Sequence, residues 1–232
     1  MKKAILVLFS SCLFIFSAAF TATYNSYVRV QHSLSNRSYA NTKLAVGHIR
    51  AGLKAKYTLK DSALLERYFV HVVVDSIMPY WYGTPWDFNG TTQIPGKGAI
   101  ACGYFVSTVL RDAGLPINRV KMGQMDSEGI IRLLAEKRDT KLFYEKPLSD
   151  VMAWLRSHGN GLYIIGLDCH VGFILVDASG CWFIHSKWFG EKAVVKEDAA
   201  TSNILYYSKY RMVAKISNSK KLLKAWLYGS GL

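Results

Sequence analysis

The sequence predicts an α+β fold, with helices first and an antiparallel sheet after them. Apolar residues recur at helical spacing in Leu64, Leu65, Phe69, Val72 and Val73, and again in Phe105, Val106, Val109, Leu110 and Ala113. From Leu162 onward the pattern changes to short apolar runs bounded by turn residues. Helices followed by a run of strands, rather than alternating with them, imply helices packed on an antiparallel sheet.

Taken in order, the chain opens with an export signal. Lys2 and Lys3 precede an apolar run from Ala4 to Phe16, and Ser17 and Ala19 stand at the −3 and −1 positions of a cleavage site before Phe20. Residues 1–19 are therefore expected to be a signal peptide. The mature protein would be periplasmic or extracellular, with an uncleaved membrane anchor as the alternative. Residues 20–60 read as a polar, partly helical extension, with a short helix from Asn41 to Lys54. Its place ahead of the later motifs makes it a candidate cover for the groove. Asp61-Ser62 opens the next helix, which Pro79 is expected to stop. A loop rich in Gly, Pro and aromatic residues follows, from Tyr80-Trp81-Tyr82-Gly83 to Gly98. Loops of this kind lie at surfaces and often carry function.

A helix starts at Cys102 and ends at Gly114 and Pro116. Further helices are expected over Ser127 to Lys137 and Leu148 to His158. Strands are expected over Leu162–Leu167, His170–Val176, Cys181–His185, Ala193–Lys196 and Arg211–Ile216, and a basic helix over Lys220–Tyr228. Residues 61–232 thus read as one domain, long enough for a substantial core.

Composition narrows the class. Half of the residues are hydrophobic and 13% are aromatic, which excludes a disordered chain. The net charge of +13 suits an anionic envelope polymer, or simply a solvated basic surface. With no zinc-finger spacing and no aromatic RNA-binding signature, nucleic acid is not an expected partner. No metal or cofactor motif is present. Cys102, Cys169 and Cys181 are expected to stay reduced, because Cys169 and Cys181 fall near opposite ends of one hairpin and do not face each other. The protein is expected to act as a monomer.

The chemistry rests on Cys102, His170 and His185. A cysteine at a helix N-terminus sits near unpaired N–H groups and the positive end of the dipole, which favours the thiolate. Its own N–H can serve an oxyanion, and Gly103 leaves room for substrate against the backbone. The alternative is a buried cysteine acting as a small apolar residue. Asp177-Ala178-Ser179-Gly180 is a turn between two apolar runs. If Val176 pairs with Cys181, His170 and His185 become diagonal neighbours on one face. His170 then acts as acid and base, and His185 fixes its tautomer. A one-residue shift would send His185 to the other face.

Three blocks carry a family resemblance: Tyr80-Trp81-Tyr82-Gly83, Ala101-Cys102-Gly103-Tyr104-Phe105-Val106, and His170-Val171-Gly172-Phe173-Ile174 continuing to Ile184-His185-Ser186. In this order they resemble the NlpC-type cell-wall cysteine peptidases, which have a papain-like fold. The resemblance implies a secreted cysteine hydrolase that cleaves an amide bond in peptidoglycan stem peptides. Cys102 would be the nucleophile, His170 the base and His185 the third polar residue, with no cofactor. Tyr80 matches a tyrosine lining the cleft in relatives, and Tyr82, Trp86 and Gly103 join it as substrate-binding candidates. The chain departs from relatives at Ala101 and Gly103, where they carry an Asp and a Ser that help bind the stem peptide, and at Thr84, where they carry a second glycine. The alternatives are a thiol amidase or acyl hydrolase on another substrate, and a non-catalytic envelope-binding module of the same fold. Rapid alkylation of Cys102 near neutral pH would favour an enzyme, and a slow, buried thiol would favour the module.

Overall fold

The computed structural model describes residues 38–232, so the expected signal peptide and the first part of the extension lie outside the described residues. Tyr39–Leu232 form one compact unit. Among the described residues, no helix is long and apolar enough to cross a membrane. The architecture is α+β, with eight α-helices and an open six-stranded antiparallel sheet among the described residues.

Helix α1 (Tyr39–Lys56) is longer than the sequence suggests and packs on the C-terminal helix. Arg50 Nε donates to the Trp226 carbonyl at 2.7 Å. Helix α2 (Ser62–Val70) does not stop at Pro79 but widens into a π-helical stretch, His71–Ile77, and then tightens into a 3-10 turn, Met78–Trp81. Pro79 is accommodated in the first residues of that turn, where its missing N–H has no helical partner to lose. The turn drives Trp81 into the core and leaves Tyr80 half-buried.

Helix α3 (Cys102–Asp112) presents Phe105, Val106, Val109 and Leu110 to the sheet, all fully buried. Each such side chain contributes about 1.5–3 kcal/mol on burial. Then come α4 (Arg119–Gly123), α5 (Ser127–Leu134), β1 (Thr140–Tyr144), α6 (Leu148–Ser157), β2 (Gly161–Leu167), β3 (Val171–Asp177), β4 (Gly180–Ser186), β5 (Val194–Asp198), α7 (Asn203–Tyr207), β6 (Tyr210–Lys215) and α8 (Lys220–Tyr228). The strand order is β1-β6-β2-β3-β4-β5. Every residue of β2 is buried, as a central strand covered on both faces requires. Phe105 of α3 meets Phe173 at 6.1 Å on one face. On the other face Val151 and Leu155 of α6 pack with Tyr163, Ile174 and Phe183.

The β3–β4 register is the one the turn implies: Val176 pairs with Cys181, and Asp177 with Gly180. The turn is closed by Asp177 Oδ1, which accepts from the N–H groups of Ser179 and Gly180. Gly180 has φ +149°, a value that favours glycine.

Candidate functional site

The site gathers where α3 begins and β3 and β4 meet the end of the sheet. The loop before Cys102 is stitched to β4 and β5. The Ile100 N–H bonds the Pro85 carbonyl at 2.8 Å, and the Gly83 N–H bonds the Val194 carbonyl at 2.9 Å. Ser186 Oγ donates to the Ile100 carbonyl at 2.6 Å, in a fully buried contact. Thr84, fully buried, accepts from the Gly96 N–H through its hydroxyl. These bonds fix the approach to Cys102, the first residue of α3.

Cys102, Cys169 and Cys181 are all free. Cys102 is half-buried and lines a cavity of about 730 Å³ together with Trp86, Gly103, Tyr104, Asp168 and His170. Its sulfur lies within hydrogen-bonding reach of the N–H groups of Val171, Gly103 and Cys102 itself. The expectation of a lowered thiol pKa is corrected. Burial pushes the Cys102 thiol up, and the three N–H donors do not offset it. The resting group is a neutral thiol.

His170 and His185 come together as the register requires. His170 Nε2 and His185 Nδ1 are 2.8 Å apart, with the rings edge to face. His185 stacks on Phe183 at 3.8 Å, and the missing side chain of Gly172 makes room: a Cβ there would sit 2.8 Å from His185 Cβ.

The relay then runs to a residue the sequence reading missed. His185 Nε2 is 3.3 Å from Glu197 Oε1 on β5. Glu197 Oε1 also accepts from Ser202 Oγ at 2.5 Å, and Oε2 from Lys187 Nζ at 2.8 Å. Burial pushes the Glu197 carboxyl up, but the bonds from His185, Lys187 and Ser202 outweigh it and hold the pKa at about 2. Glu197 pairs across the sheet with Phe183, one diagonal step from His185. The expected strand ended at Lys196, one residue short of it, and no local pattern marked Glu197 as part of the site.

These bonds assign the tautomers. An ionised Glu197 only accepts, so His185 Nε2 carries the proton. A neutral His185 then accepts at Nδ1, so His170 Nε2 is the donor between the rings. That leaves His170 Nδ1 as a bare lone pair. It is buried and has no hydrogen-bond partner. Burial lowers the His170 pKa well below its ordinary value, and the nearby His185 adds to this. The ring rests neutral. Such a nitrogen is an acceptor held ready for a proton. No bond joins it to Cys102 in this resting state, and catalytic contacts commonly tighten only when substrate binds.

The substrate-binding candidates divide. Trp86 and Gly103 line the Cys102 cavity. Tyr80 does not: it lines a separate cavity with Tyr39 and Lys43, and its hydroxyl is 2.9 Å from Thr42 Oγ1. Tyr82 lines neither. Gly103 leaves no free space for substrate, because its missing side chain is met by the Gly123 carbonyl, 2.5 Å from where a Cβ would stand. Its smallness serves the α3–α4 contact. No residue of α1 lines the Cys102 cavity, so the described part of the extension does not cover it. Among the described residues no cluster of His, Cys, Asp and Glu could hold a metal ion. In comparisons with known proteins, no family model, no curated protein and no solved structure matches this chain.

Proposed function

We propose that this protein is an exported cysteine hydrolase that cleaves an amide or ester carbonyl of a cell-envelope molecule, with a papain-like division of labour between a helix-borne thiol and strand-borne histidines. The observation that carries the reading is the bare His170 Nδ1, buried and unpartnered, on a residue that lines the same cavity as Cys102. A buried polar atom without a partner costs about 1–3 kcal/mol. A site that pays this keeps the atom for a reaction.

The steps balance within the named groups. The Cys102 Sγ–H proton passes to His170 Nδ1 as sulfur attacks the carbonyl carbon. The oxyanion takes a hydrogen bond from the Cys102 N–H, in the place an oxyanion hole occupies. His170 Nδ1–H then protonates the leaving amine or alcohol as its bond to carbon breaks, giving a thioester. Water attacks the thioester carbonyl as its proton goes to His170 Nδ1; the C–S bond then breaks, the sulfur takes that proton back, and the carboxylic acid leaves. His185 and Glu197 hold the imidazole in the tautomer that each step needs.

Peptidoglycan stem peptides are the first substrates to test, because the three sequence blocks imply them. Muropeptides are digested with wild type and with Cys102→Ala, and the products weighed by mass spectrometry; p-nitrophenyl acetate is run alongside. A Cys102-dependent muropeptide product supports both the chemistry and the substrate. A Cys102-dependent acetate burst without muropeptide cleavage removes the stem peptide and leaves the hydrolase. Neither result leaves a binding module.

A further inference from the structure

A second cavity, of about 510 Å³, opens beside His170. It shares Leu167, Asp168, Cys169, His170 and Trp188 with the Cys102 cavity, so the two adjoin along a common wall that includes His170. The walls peculiar to it are Phe189 from the β4–β5 loop, Asn203, Ile204 and Tyr207 from α7, and Ser208 just after that helix. Its size falls within the range of about 300–1,000 Å³ usual for small-ligand sites.

We infer that this groove is an acyl pocket, and that the substrate carries a medium-chain fatty acyl group on the carbonyl side of the scissile bond. The inference rests on the hydrolase reading of Cys102 and deepens it, taking an acylated envelope molecule rather than a stem peptide as the substrate. Three observations support it. The slot is walled mainly by Leu167, Trp188, Phe189, Ile204 and Tyr207. Two of its polar members are already engaged: the Asp168 carboxylate accepts from Ser208 Oγ and from the N–H groups of Lys209 and Tyr210. A peptide backbone laid there would lose water and find few partners, at a cost a hydrocarbon does not meet. Lastly, Trp188, Phe189 and Tyr207 are 46%, 58% and 74% exposed, an aromatic rim that an apolar chain would cover. The wall shared with the Cys102 cavity, His170 included, sets the occupant beside the reacting groups, where the acyl part of the substrate would lie.

Ser202 links this wall to the relay. Its hydroxyl donates to Glu197 and accepts from the Leu205 N–H at the start of α7. The helix that carries Ile204 and Tyr207 is thus pinned to the carboxylate behind the histidines.

The test separates binding from chemistry. N-acyl glycinamides with acetyl, butanoyl, hexanoyl and octanoyl chains are titrated into the whole chain carrying Cys102→Ala, by calorimetry. N-acetylphenylalaninamide is titrated as a rival. Wild type is assayed with the matching p-nitrophenyl esters. Affinity and kcat/KM should rise by about fourfold per added methylene while the chain is fully buried, reaching on the order of 1,000-fold over the six methylenes from acetyl to octanoyl. Phe189→Ser with Tyr207→Ser should flatten that slope, with Tm showing the fold intact. A slope within threefold overall, or tighter binding of the phenylalanine amide, overturns the inference. Cys102-dependent turnover with a flat slope sinks the pocket alone. Chain-length-dependent binding without any Cys102-dependent turnover sinks the hydrolase reading and leaves a lipid-binding site.

Discussion

Replacing Glu197 by glutamine tests the relay at its far end. The Glu197 carboxylate accepts on both oxygens: from His185 and Ser202 at Oε1, and from Lys187 at Oε2. Lys187 can only donate, so the glutamine carbonyl must face it, and the new NH2 group faces His185. The NH2 then donates to His185 Nε2. His185 must carry its proton on Nδ1 and donate to His170 Nε2, which puts the remaining His170 proton on Nδ1. The base is blocked. Tautomer reversal of this kind in a serine-protease triad costs about 10⁴-fold in kcat, and a loss of 10³–10⁴-fold is expected here, or about 4–5.5 kcal/mol at 1.36 kcal/mol per decade. The folded state loses only about 1–3 kcal/mol, so Tm should fall by several degrees while activity collapses. The assay is the initial rate on p-nitrophenyl acetate, with thermal unfolding alongside. Adding Lys187→Met frees the glutamine to turn its carbonyl to His185, and should recover at least tenfold. Activity of Glu197→Gln within fivefold of wild type would refute the tautomer argument, as would a double variant no better than the single.

Gly172→Ala places a Cβ 2.7 Å from Phe183 Cε2 and 2.8 Å from His185 Cβ; unfolding in urea should show a loss of about 1–3 kcal/mol, with kcat reduced as His185 is displaced. Ser186→Ala removes the buried bond to the Ile100 carbonyl and should cost about 1–3 kcal/mol by the same measurement. Because burial raises the Cys102 thiol, its alkylation rate by iodoacetamide in the resting protein should keep rising with pH past the usual thiol midpoint of about 8.5; slow labelling near neutral pH is then the result expected of the enzyme too and no longer favours a binding module, and a midpoint below 7 would contradict the resting neutral thiol. Acid stability should fall in two stages. His170 and His185 have lowered folded pKa values, so the unfolded chain binds more protons below about 6.5 and stability drops there first. Glu197 is held at about 2 against an ordinary 4.5, so its contribution is intact above about pH 4.5 and is lost on the way down to pH 2, by roughly 3 kcal/mol. Urea titrations across pH should show a smaller second-stage loss in Glu197→Gln than in wild type, because Asp168 and Asp177, whose hydrogen bonds outweigh burial and hold them below their ordinary range, contribute to that stage in both.

Local chemistry made the hairpin legible. Asp177 and Gly180 define its turn, and the turn sets the register that pairs the two histidines. The start of α3 at Cys102 was legible for the same reason, with Gly114 (φ +95°) ending it. What was missed depends on contacts across the sheet or on elements too short to show a period. Strand β1 lies at an edge with only Phe143 buried, so no alternation marks it. Helices α4 and α7 span five residues each, little more than one turn. Glu197 reaches His185 only because β5 pairs with β4, which nothing near Glu197 in sequence announces. The Tyr80 placement failed because the 3-10 turn at Met78–Trp81 sets its hydroxyl on Thr42 of α1, an element the motif blocks do not include. Helix-end reasoning also gave the wrong direction for the Cys102 thiol, since it takes no account of the residues that later cover the sulfur.

The most direct test of the mechanism is to trap the thioester. Wild type is mixed with excess p-nitrophenyl acetate, quenched in acid within the burst, digested, and mapped by mass spectrometry. The expected result is one acetyl group on the peptide containing Cys102, greatly reduced in His170→Gln and absent in Cys102→Ala. An acetyl group on Cys169 alone, or equal labelling of Cys102 with and without His170, would contradict it.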